Sequence, residues 1–408
     1  MRWVNFFHIY QPPQWDEDII RQAAAEAYWP LVHILERHPT VKITLNIAGA
    51  LTEQLLELGY DDFLSAVRRL LERGQIELVG SASYHPILPL LPLHEVRRQI
   101  ELQDELHRRV FGPAYAPKGF YPPEMAFQPE LEPLLLEMGF QWVVLDELAV
   151  GDAIGQASPL KRYRTTSGLG VVIRNRPLSD YLSFSARLDD HRSAFETLSS
   201  DARSAAWLVT AMDGENLGHH RHGVDRLWEF TITHNRVTTA TVSEYYRQLT
   251  TEMSVKLQAS SWSSQIWELR SRVPYGLWNH PNNPIHQLQW ELTNVIIATV
   301  HRSAVDPNFD AARRLLDRSL TSDKYWWASA SPWWDMTIVI RETQKLADVV
   351  APLTTVPTAT KNQVARLMSQ ITKTSERWEK TGLAKRRQAT YLRATGDVRY
   401  MGGRQVTA

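Results

Sequence analysis

Two carboxylates stand where apolar, strand-like runs break into tight polar turns. Glu124 closes the segment 118–124, Lys-Gly-Phe-Tyr-Pro-Pro-Glu, and Asp213 follows the apolar run 205–212 and precedes Gly214. In α/β proteins the loops after the strands converge on one mouth, so groups that are distant in sequence can meet there. Two acids in such positions predict acid/base or nucleophilic chemistry.

Each acid also has a purely structural explanation. An Asp-Gly pair after a strand is most often a turn, because both residues suit turn conformations. Glu124 could equally begin a helix, since the helix dipole favours an acid in the first turn. Taken alone, neither acid establishes catalysis, and the case depends on the motifs around them.

Short strand-like runs alternate with helical patterns from the amino terminus to about residue 240. The predicted strands are residues 3–9, 41–47, 76–79, 119–121 and 142–145. The predicted helices are residues 16–37, 51–58, 60–72, 93–110 and 129–138. This alternation indicates βαβ units and a parallel sheet. Because no nucleotide-binding fingerprint is present, we predict a (β/α) barrel over residues 1–240 as the catalytic domain.

The pattern changes after residue 240. Long helical patterns, residues 284–304, 309–320 and 335–349, predict a mainly helical region over 241–350. The Pro- and Thr-rich segment 351–360 has the composition of a linker. A basic helical stretch, 361–385, and a Gly-containing tail complete a third part, residues 351–408, which we interpret as a solvated helix and a frayed terminus in preference to a nucleic-acid-binding arm.

The composition is that of a large globular protein without net charge. The chain has 408 residues, 43% of them hydrophobic, and lysine plus arginine equal aspartate plus glutamate at 45 each. This length exceeds one ordinary domain unless one domain is a barrel. A balanced charge creates no field that would attract nucleic acid or an anionic membrane. We therefore expect an uncharged partner, with no nucleic-acid or membrane partner.

The cysteine count and the amino terminus bear on the compartment. Cysteine is absent, which excludes disulfides and thiolate metal sites and fits a reducing compartment. The first residues lack the basic stretch, apolar run and small-residue cleavage site of a secretory signal. No segment has the length of a membrane span. We expect a soluble, cytoplasmic protein.

Five short motifs, in sequence order, resemble those of glycoside hydrolase family 57, enzymes of α-glucan metabolism. They are residues 8–12 (His-Ile-Tyr-Gln-Pro), 74–77 (Gly-Gln-Ile-Glu) with 85–86 (His-Pro), 119–124 (Gly-Phe-Tyr-Pro-Pro-Glu), 212–215 (Met-Asp-Gly-Glu) and 322–327 (Ser-Asp-Lys-Tyr-Trp-Trp). Each motif is short, but five in order make a strong joint signal. Two residues depart from the family pattern: Tyr10 stands where many members have a second histidine, and Tyr121 where the third motif usually has a tryptophan. Both departures alter sugar contacts rather than the reaction.

The resemblance implies a fold and a set of roles. The fold is a distorted, incomplete TIM-type (β/α)7 barrel with a carboxy-terminal, mainly helical region that covers the barrel mouth. Glu124 is the nucleophile and Asp213 the general acid/base. The residues implied in substrate binding are His8, Gln11, Glu77, His85, Glu215, His220, Asp323 and Trp326. No cofactor is expected.

The chemistry of retaining cleavage suits this pair. One ionised carboxylate attacks the anomeric carbon, and a second, protonated carboxyl protonates the leaving oxygen and later deprotonates water. The environments of the two groups must therefore separate their pKa values. Two prolines fix the backbone before Glu124 and could aim it rigidly. If Glu215 is ionised, it could keep the proton on Asp213 by repulsion.

The histidines suggest an alternative with a metal. His8, His85 and the run 219–222, His-His-Arg-His, could together with Asp213 resemble the ligand sets of zinc-dependent polysaccharide deacetylases and mannosidases on related barrels. Adjacent histidines do not face one point, however, and no spaced histidine pair lies near the first strand. We therefore predict no metal.

Tryptophans are abundant, with 15 in the chain. Most are expected in the core, but those of the second half could line sugar subsites: Trp262, Trp267, Trp278, Trp326, Trp327, Trp333 and Trp334. The sequence thus predicts a retaining hydrolase or transglycosylase that cleaves α-1,4 and/or α-1,6 linkages of an oligosaccharide or polysaccharide. The alternatives are a metal-dependent deacetylase or mannosidase-like enzyme and a catalytically silent carbohydrate-binding protein. The oligomeric state does not follow from the sequence.

Overall fold

The computed structural model describes residues 1–13, 15–151, 154–202, 207–395, 400–401 and 404–405. Residues 205–206 of the apolar run before Asp213, and most of the Gly-containing tail, lie outside the described residues. The described chain forms two compact units. The first comprises Met1–Ser83, Leu88–Trp262 and the short strands near the carboxyl terminus, and the second comprises Tyr84–Ile87 and residues 263–395.

Twelve strands lie within the described residues. They are β1 (Arg2–Ile9), β2 (Ile43–Ile47), β3 (Ile76–Leu78), β4 (Gly119–Phe120), β5 (Trp142–Leu145), β6 (Lys161–Arg164), β7 (Gly170–Ile173), β8 (Trp207–Asp213), β9 (Thr238–Ala240), β10 (Thr251–Ser254), β11 (Tyr400–Met401) and β12 (Arg404–Gln405).

Helices follow most of these strands. They are α1 (Glu17–Ala23), α2 (Trp29–Arg37), α3 (Gly49–Glu57), α4 (Asp61–Glu72), α5 (Leu93–Phe111), α6 (Glu132–Glu137), α7 (Arg176–Asp180), α8 (His191–Ala202), α9 (Val224–Ile232), α10 (Val242–Gln248), α11 (Ile266–Arg270), α12 (Pro284–Arg302), α13 (Phe309–Ser319), α14 (Asp323–Trp326), α15 (Met336–Ala347), α16 (Thr358–Lys380) and α17 (Leu383–Thr395). Two π-helical segments, Ala24–Tyr28 and Tyr181–Ser185, lie beside them.

Seven parallel strands of the first unit form the barrel. Strands β3, β2, β1 and β8 are hydrogen-bonded neighbours in that order, and β7, β5 and β4 form a second parallel set. The two sets meet at β3 and β4, where Gly80 N–H donates to Gly119 O at 2.9 Å and Tyr121 N–H to Gly80 O at 2.8 Å. On the other side, Asn175 N–H, just after β7, donates to Val209 O of β8 at 2.7 Å. The predicted distorted (β/α)7 barrel is therefore confirmed.

Alternation along the strands decides which side chains face the barrel interior. Val4 and Phe6 of β1 belong to the same buried cluster as Val209 and Ala211 of β8. Trp3, Phe7 and Ile9 of β1 belong instead to a second buried cluster, which they share with residues of the surrounding helices. Because side chains repeat every second residue in a strand, the next inward positions are His8 and Asp213. The strand pattern thus brings a histidine and an acid to the carboxyl end of the barrel.

The sequence analysis predicted no strand between residues 146 and 204, where the structure has β6 and β7. Strand β6 is a charged Lys-Arg-Tyr-Arg segment, and β7 has only four residues. The charged residues of β6 and the glycine at the start of β7 both weaken the strand signal. Pairing of β6 with β10, of β7 with β5, and of β6 with β7 makes these segments strands.

The second unit is helical, as expected for the carboxy-terminal part. Helices α12 and α15 both pack against α16, and α17 packs against the same helix. The predicted linker 351–360 ends early, because α16 begins at Thr358. Within the described residues, no helix combines the length and the apolar character that crossing a membrane would need.

Candidate active site

His8 and Asp213 lie side by side at the carboxyl end of the barrel. They are opposite each other in the parallel pairing of β1 with β8. His8 is buried and its Nδ1 lies 2.7 Å from Asn46 Oδ1 of β2. Burial lowers the pKa of His8 to about 4, although the hydrogen bond to Asn46 opposes this effect. The imidazole is therefore neutral at pH 7.

Glu124 has an unusual backbone conformation. It lies in the turn Pro123–Met125 with φ 60° and ψ 16°, and Met125 follows with φ 48°. This left-handed region costs roughly 1 kcal/mol or more for each residue with a Cβ atom. A short antiparallel ladder holds the turn, because Phe127 and Ser260 exchange backbone hydrogen bonds of 2.9 and 3.1 Å. Trp262 N–H also donates to Glu124 O at 3.1 Å.

The side chain of Glu124 is held by the same tryptophan. Trp262 Nε1–H donates to Glu124 Oε2 at 2.7 Å. Both side chains are partly exposed. A hydrogen bond to an ionised carboxylate is about twice as strong as one between neutral groups, so this contact favours one orientation of Glu124.

Tyr121 brings Glu124 and Asp213 into one cluster. Its ring is fully buried, with its centroid 4.6 Å from that of His8 and 6.0 Å from that of Trp262. Burial raises the pKa of the Tyr121 hydroxyl well above its ordinary value, and the negative charges of Glu124 and Asp213 both add to this effect. Both carboxylates are therefore close to one phenol.

A buried arginine supports the cluster from the neighbouring strands. Arg174 directly follows β7, and Asp146 directly follows β5. Arg174 Nε–H donates to Asp146 Oδ2 at 2.7 Å. Its Nη1 donates to Ala211 O of β8 at 3.2 Å. The guanidinium carbon lies 5.6 Å from the centre of the Trp262 ring. Arg174 thus provides a fixed positive charge that acts on Asp213.

Asp213 combines burial with this positive charge. Burial raises its pKa from 3.8 to about 6, while the charge of Arg174 acts to lower it. A carboxyl with a pKa near 6 can both donate and accept a proton close to neutral pH. This property is the one required of an acid/base catalyst.

Of the two neighbouring acids, Asp213 and Glu215, Glu215 has the higher pKa. It is 3% exposed, and its Oε1 accepts hydrogen bonds from Tyr28 Oη–H at 2.6 Å and Tyr10 N–H at 3.0 Å. Gln11 Nε2–H donates to the Tyr28 hydroxyl at 3.2 Å. Burial, followed by the charge of Asp213, raises the pKa of Glu215 to about 8.

This order of pKa values corrects the expectation that an ionised Glu215 keeps the proton on Asp213. Glu215 is more deeply buried than Asp213, and the donors to its Oε1 are neutral. Asp213 is partly exposed and is favoured in its ionised form by Arg174. Burial therefore favours the neutral form of Glu215 more strongly than that of Asp213.

Glu77 lies nearer the amino-terminal end of the barrel. The pairing of β2 with β3 places it opposite Thr44, two residues before the level of Asn46 and His8. Its Oε2 accepts hydrogen bonds from Ser243 N–H in the first turn of α10 at 2.9 Å and from Thr44 Oγ1 at 3.2 Å. These bonds give Glu77 a helix-capping role, and its part in substrate binding stays a prediction.

Three further predicted site residues belong to the second unit. His85 is buried with φ 57°, and its Nδ1 lies 3.1 Å from Ser322 Oγ. Asp323 and Trp326 begin and end the short helix α14. The Trp326 ring is stacked on Trp333, with centroids 4.3 Å apart. Their contribution to sugar binding likewise stays a prediction.

The histidine run does not converge on one point. His219 Nδ1 lies 2.7 Å from Glu26 Oε2, and the neighbouring His220 is exposed. Among the residues that the structure describes, no group of three or more His, Asp or Glu side chains lies close enough together to hold a metal ion.

The sequence reasoning did not single out four residues of the cluster. They are Tyr28, Asn46, Asp146 and Arg174. Asp146 and Arg174 each directly follow a strand, so the strand-end argument that selected Glu124 and Asp213 could have found them. Tyr28 lies in a π-helical segment and carries no such signal.

A sequence model described as glycosyl hydrolase family 57 matches residues 3–258. The chain is 27% identical over 285 residues to an α-amylase from Pyrococcus horikoshii, covering 66% of this chain and 44% of the relative. It is also 27% identical over 289 residues to a 4-α-glucanotransferase from Thermococcus litoralis, covering 67% and 43%. The chain thus spans less than half the length of these two relatives.

A solved structure resembles the fold over a greater length. The family-57-type branching enzyme of Pyrococcus horikoshii superposes with a TM-score of 0.69 at 15% identity, covering 90% of this chain and 94% of that chain. At 15% identity, this similarity establishes that the two chains share a fold. The match includes the barrel and extends into the helical region.

Proposed function

The chain belongs to glycosyl hydrolase family 57, and from this premise we propose that it cleaves α-glucans by a retaining mechanism, as a hydrolase or a transglycosylase. The substrate class is supported by the names of the relatives, an α-amylase and a 4-α-glucanotransferase. The proposal assigns Glu124 as the nucleophile and Asp213 as the acid/base.

One observation carries the proposal: Glu124 and Asp213 both lie close to Tyr121 but have different surroundings. Glu124 is held by an N–H donor, which favours a carboxylate. Burial raises the pKa of Asp213 to about 6, so that this carboxyl can give a proton and take one back close to neutral pH. Retaining cleavage needs this difference between its two carboxyl groups.

In the first step Glu124 attacks the anomeric carbon. A bond forms between that carbon and a carboxylate oxygen, while the bond to the glycosidic oxygen breaks and its electron pair leaves with the departing sugar. Asp213 gives its proton to that oxygen. The ester between sugar and Glu124 holds the inverted configuration until the second step.

In the second step Asp213 acts as the base. It takes a proton from water, or from the hydroxyl of an acceptor sugar, as that oxygen bonds to the anomeric carbon. The electron pair of the ester bond returns to Glu124. Two inversions give net retention, and the choice between water and sugar distinguishes hydrolysis from transglycosylation.

His8 and the Glu215 cluster are proposed to contact the sugar around this centre. The Nδ1–H of neutral His8 donates to Asn46 Oδ1, so that its Nε2 is the acceptor in this tautomer. A sugar hydroxyl is a suitable donor to Nε2. Gln11 acts through Tyr28, which positions the Glu215 carboxyl group.

The test is turnover of maltooligosaccharides by wild type, Glu124→Gln and Asp213→Asn. Both variants should fold normally, and Glu124→Gln should lose several orders of magnitude in kcat because the covalent route is gone. Glu137→Gln is the control, since its side chain is 65% exposed. Proton NMR of the first product formed should show the anomeric configuration of the substrate.

Other outcomes would point to the alternatives. Near-wild-type kcat in Glu124→Gln would remove Glu124 from the mechanism. Binding of oligosaccharides without turnover would favour a carbohydrate-binding protein. Release of acetate from an acetylated glycan, sensitive to chelators, would favour a metal-dependent deacetylase.

A further inference from the structure

Trp262 contacts the proposed nucleophile through both its backbone and its side chain. Its N–H donates to Glu124 O at 3.1 Å, and its indole Nε1–H donates to Glu124 Oε2 at 2.7 Å. The two residues are 138 positions apart in the chain. The backbone ladder between Phe127 and Ser260 sets the register that aligns them. The contact therefore depends on the fold of the whole first unit.

The ring of Trp262 is held in place on several sides. It packs against the buried cluster inside the barrel. Its centroid lies 6.0 Å from that of Tyr121 and 6.3 Å from that of His8, and Arg174 lies 5.6 Å from the ring centre. A side chain fixed in this way donates its hydrogen bond without a large loss of rotamer entropy. The indole N–H is thus a preorganised donor.

We propose that Trp262 is a positioning residue of the nucleophile, whose indole N–H sets the balance between forming and breaking the bond from Glu124 to the sugar. The inference rests on the proposed retaining mechanism. It concerns a residue that lies beyond the family match, which ends at residue 258.

The physical reason lies in the charge of Glu124 along the reaction. In the first step the carboxylate loses negative charge as its electron pair bonds the anomeric carbon. In the second step the negative charge returns to Glu124, because the ester bond breaks as water or an acceptor sugar bonds to the anomeric carbon. An N–H donor stabilises the charged form, so it opposes the first step and assists the second.

Removal of the N–H is therefore expected to slow the second step most. The glycosyl-enzyme should then accumulate at steady state. When breakdown of an intermediate limits turnover, kcat and KM fall together, because substrate continues to drain into the intermediate. Loss of orientation alone would lower kcat without lowering KM.

The experiment uses Trp262→Phe and a protein with 3-benzothienylalanine at position 262. The second variant retains a bicyclic ring of the same size and replaces only the N–H by sulfur. The probe substrate is α-maltosyl fluoride, whose good leaving group makes the first step fast. We expect kcat to fall about 10- to 100-fold, the range for a hydrogen bond to a charged group, with a parallel fall in KM. Intact-mass measurement should detect a maltosyl adduct, located on Glu124 by peptide mapping.

Controls separate the possible failures. Trp29→Phe, in helix α2 and stacked on His33, should leave kcat and KM unchanged. Thermal unfolding checks that the position-262 variants fold. If the benzothienyl variant has the kcat and KM of wild type, or shows a lower kcat with unchanged or raised KM and no adduct, the inference is wrong. If Glu124→Gln turns over the same fluoride at the wild-type rate, the proposed mechanism itself fails.

Discussion

Replacing Glu215 by glutamine is expected to make the stability of the protein less sensitive to pH. Glu215 is 3% exposed and accepts hydrogen bonds from Tyr28 and from the backbone of Tyr10. Burial, with the charge of Asp213, raises its pKa from 4.5 to about 8. Glutamine has the shape of the neutral carboxyl group and cannot ionise. The variant should therefore have the packing of the protonated protein at every pH.

The sign of the effect follows from proton binding. Below pH 4.5 Glu215 is protonated in the folded and in the unfolded protein, so its ionisation does not affect stability. As the pH rises through the window up to about 8, the unfolded chain releases a proton that the folded protein retains, and wild type loses stability. Each pH unit in this window corresponds to about 1.4 kcal/mol. The expected loss is roughly 2 to 3 kcal/mol between pH 5 and pH 7, and at most about 5 kcal/mol above pH 8.

The measurement is the free energy of unfolding in urea at pH 5, 6, 7 and 8, for wild type and Glu215→Gln. The difference between the two proteins should shift in favour of the variant as the pH rises. Glu17→Gln is the matched control, because the Glu17 side chain is 71% exposed, and its difference from wild type should not change with pH. Parallel curves for wild type and Glu215→Gln would show that Glu215 ionises alike in both states and would refute the reasoning.

Four further outcomes are expected. First, kcat/KM on maltooligosaccharides should fall about tenfold per pH unit above about pH 6, because Asp213, whose pKa burial raises to about 6, must be protonated to act as the acid; a rate that is flat up to pH 9 would contradict this. Second, Gly119→Ala should destabilise the protein by roughly 1 to 3 kcal/mol in urea unfolding, since a Cβ there would lie 2.1 Å from the Trp142 ring. Third, prolonged chelation should leave activity unchanged, and a stoichiometric zinc required for turnover would favour the metal-dependent alternative. Fourth, Trp326→Ala should raise KM about tenfold if Trp326 forms a sugar subsite, as the family resemblance implies, and an unchanged KM would remove it from the binding set.

The local pattern of the sequence was sufficient for much of the barrel. Strand β5 occupies the residues predicted for it, and β1 begins one residue earlier than predicted. Both strands are strongly apolar and are bounded by polar turns, so their local sequence carries the signal. Strands β6 and β7 were missed because their local sequence is a weak signal, and they become strands through pairing, β6 with the distant β10 and β7 with β5.

The positions of the two proposed catalytic acids could also be read from the sequence. An acid that follows a buried strand lies at the barrel mouth wherever the barrel closes, because all parallel strands end on the same side. Asp213 is such a residue, and Asp146 and Arg174 could have been selected by the same argument.

The properties of these acids were decided by the tertiary structure. The sequence left open an ionised Glu215 beside Asp213, whereas burial raises the pKa of Glu215 above that of Asp213. Tyr28, which donates to Glu215, and Arg174, whose charge lowers the pKa of Asp213, come from distant segments of the chain. The donor to Glu124, Trp262, is likewise brought in by a distant segment. Sequence determines which groups stand at the ends of strands, because that follows from local alternation. Burial and hydrogen bonding determine what those groups can do, and both exist only when the distant segments have packed together.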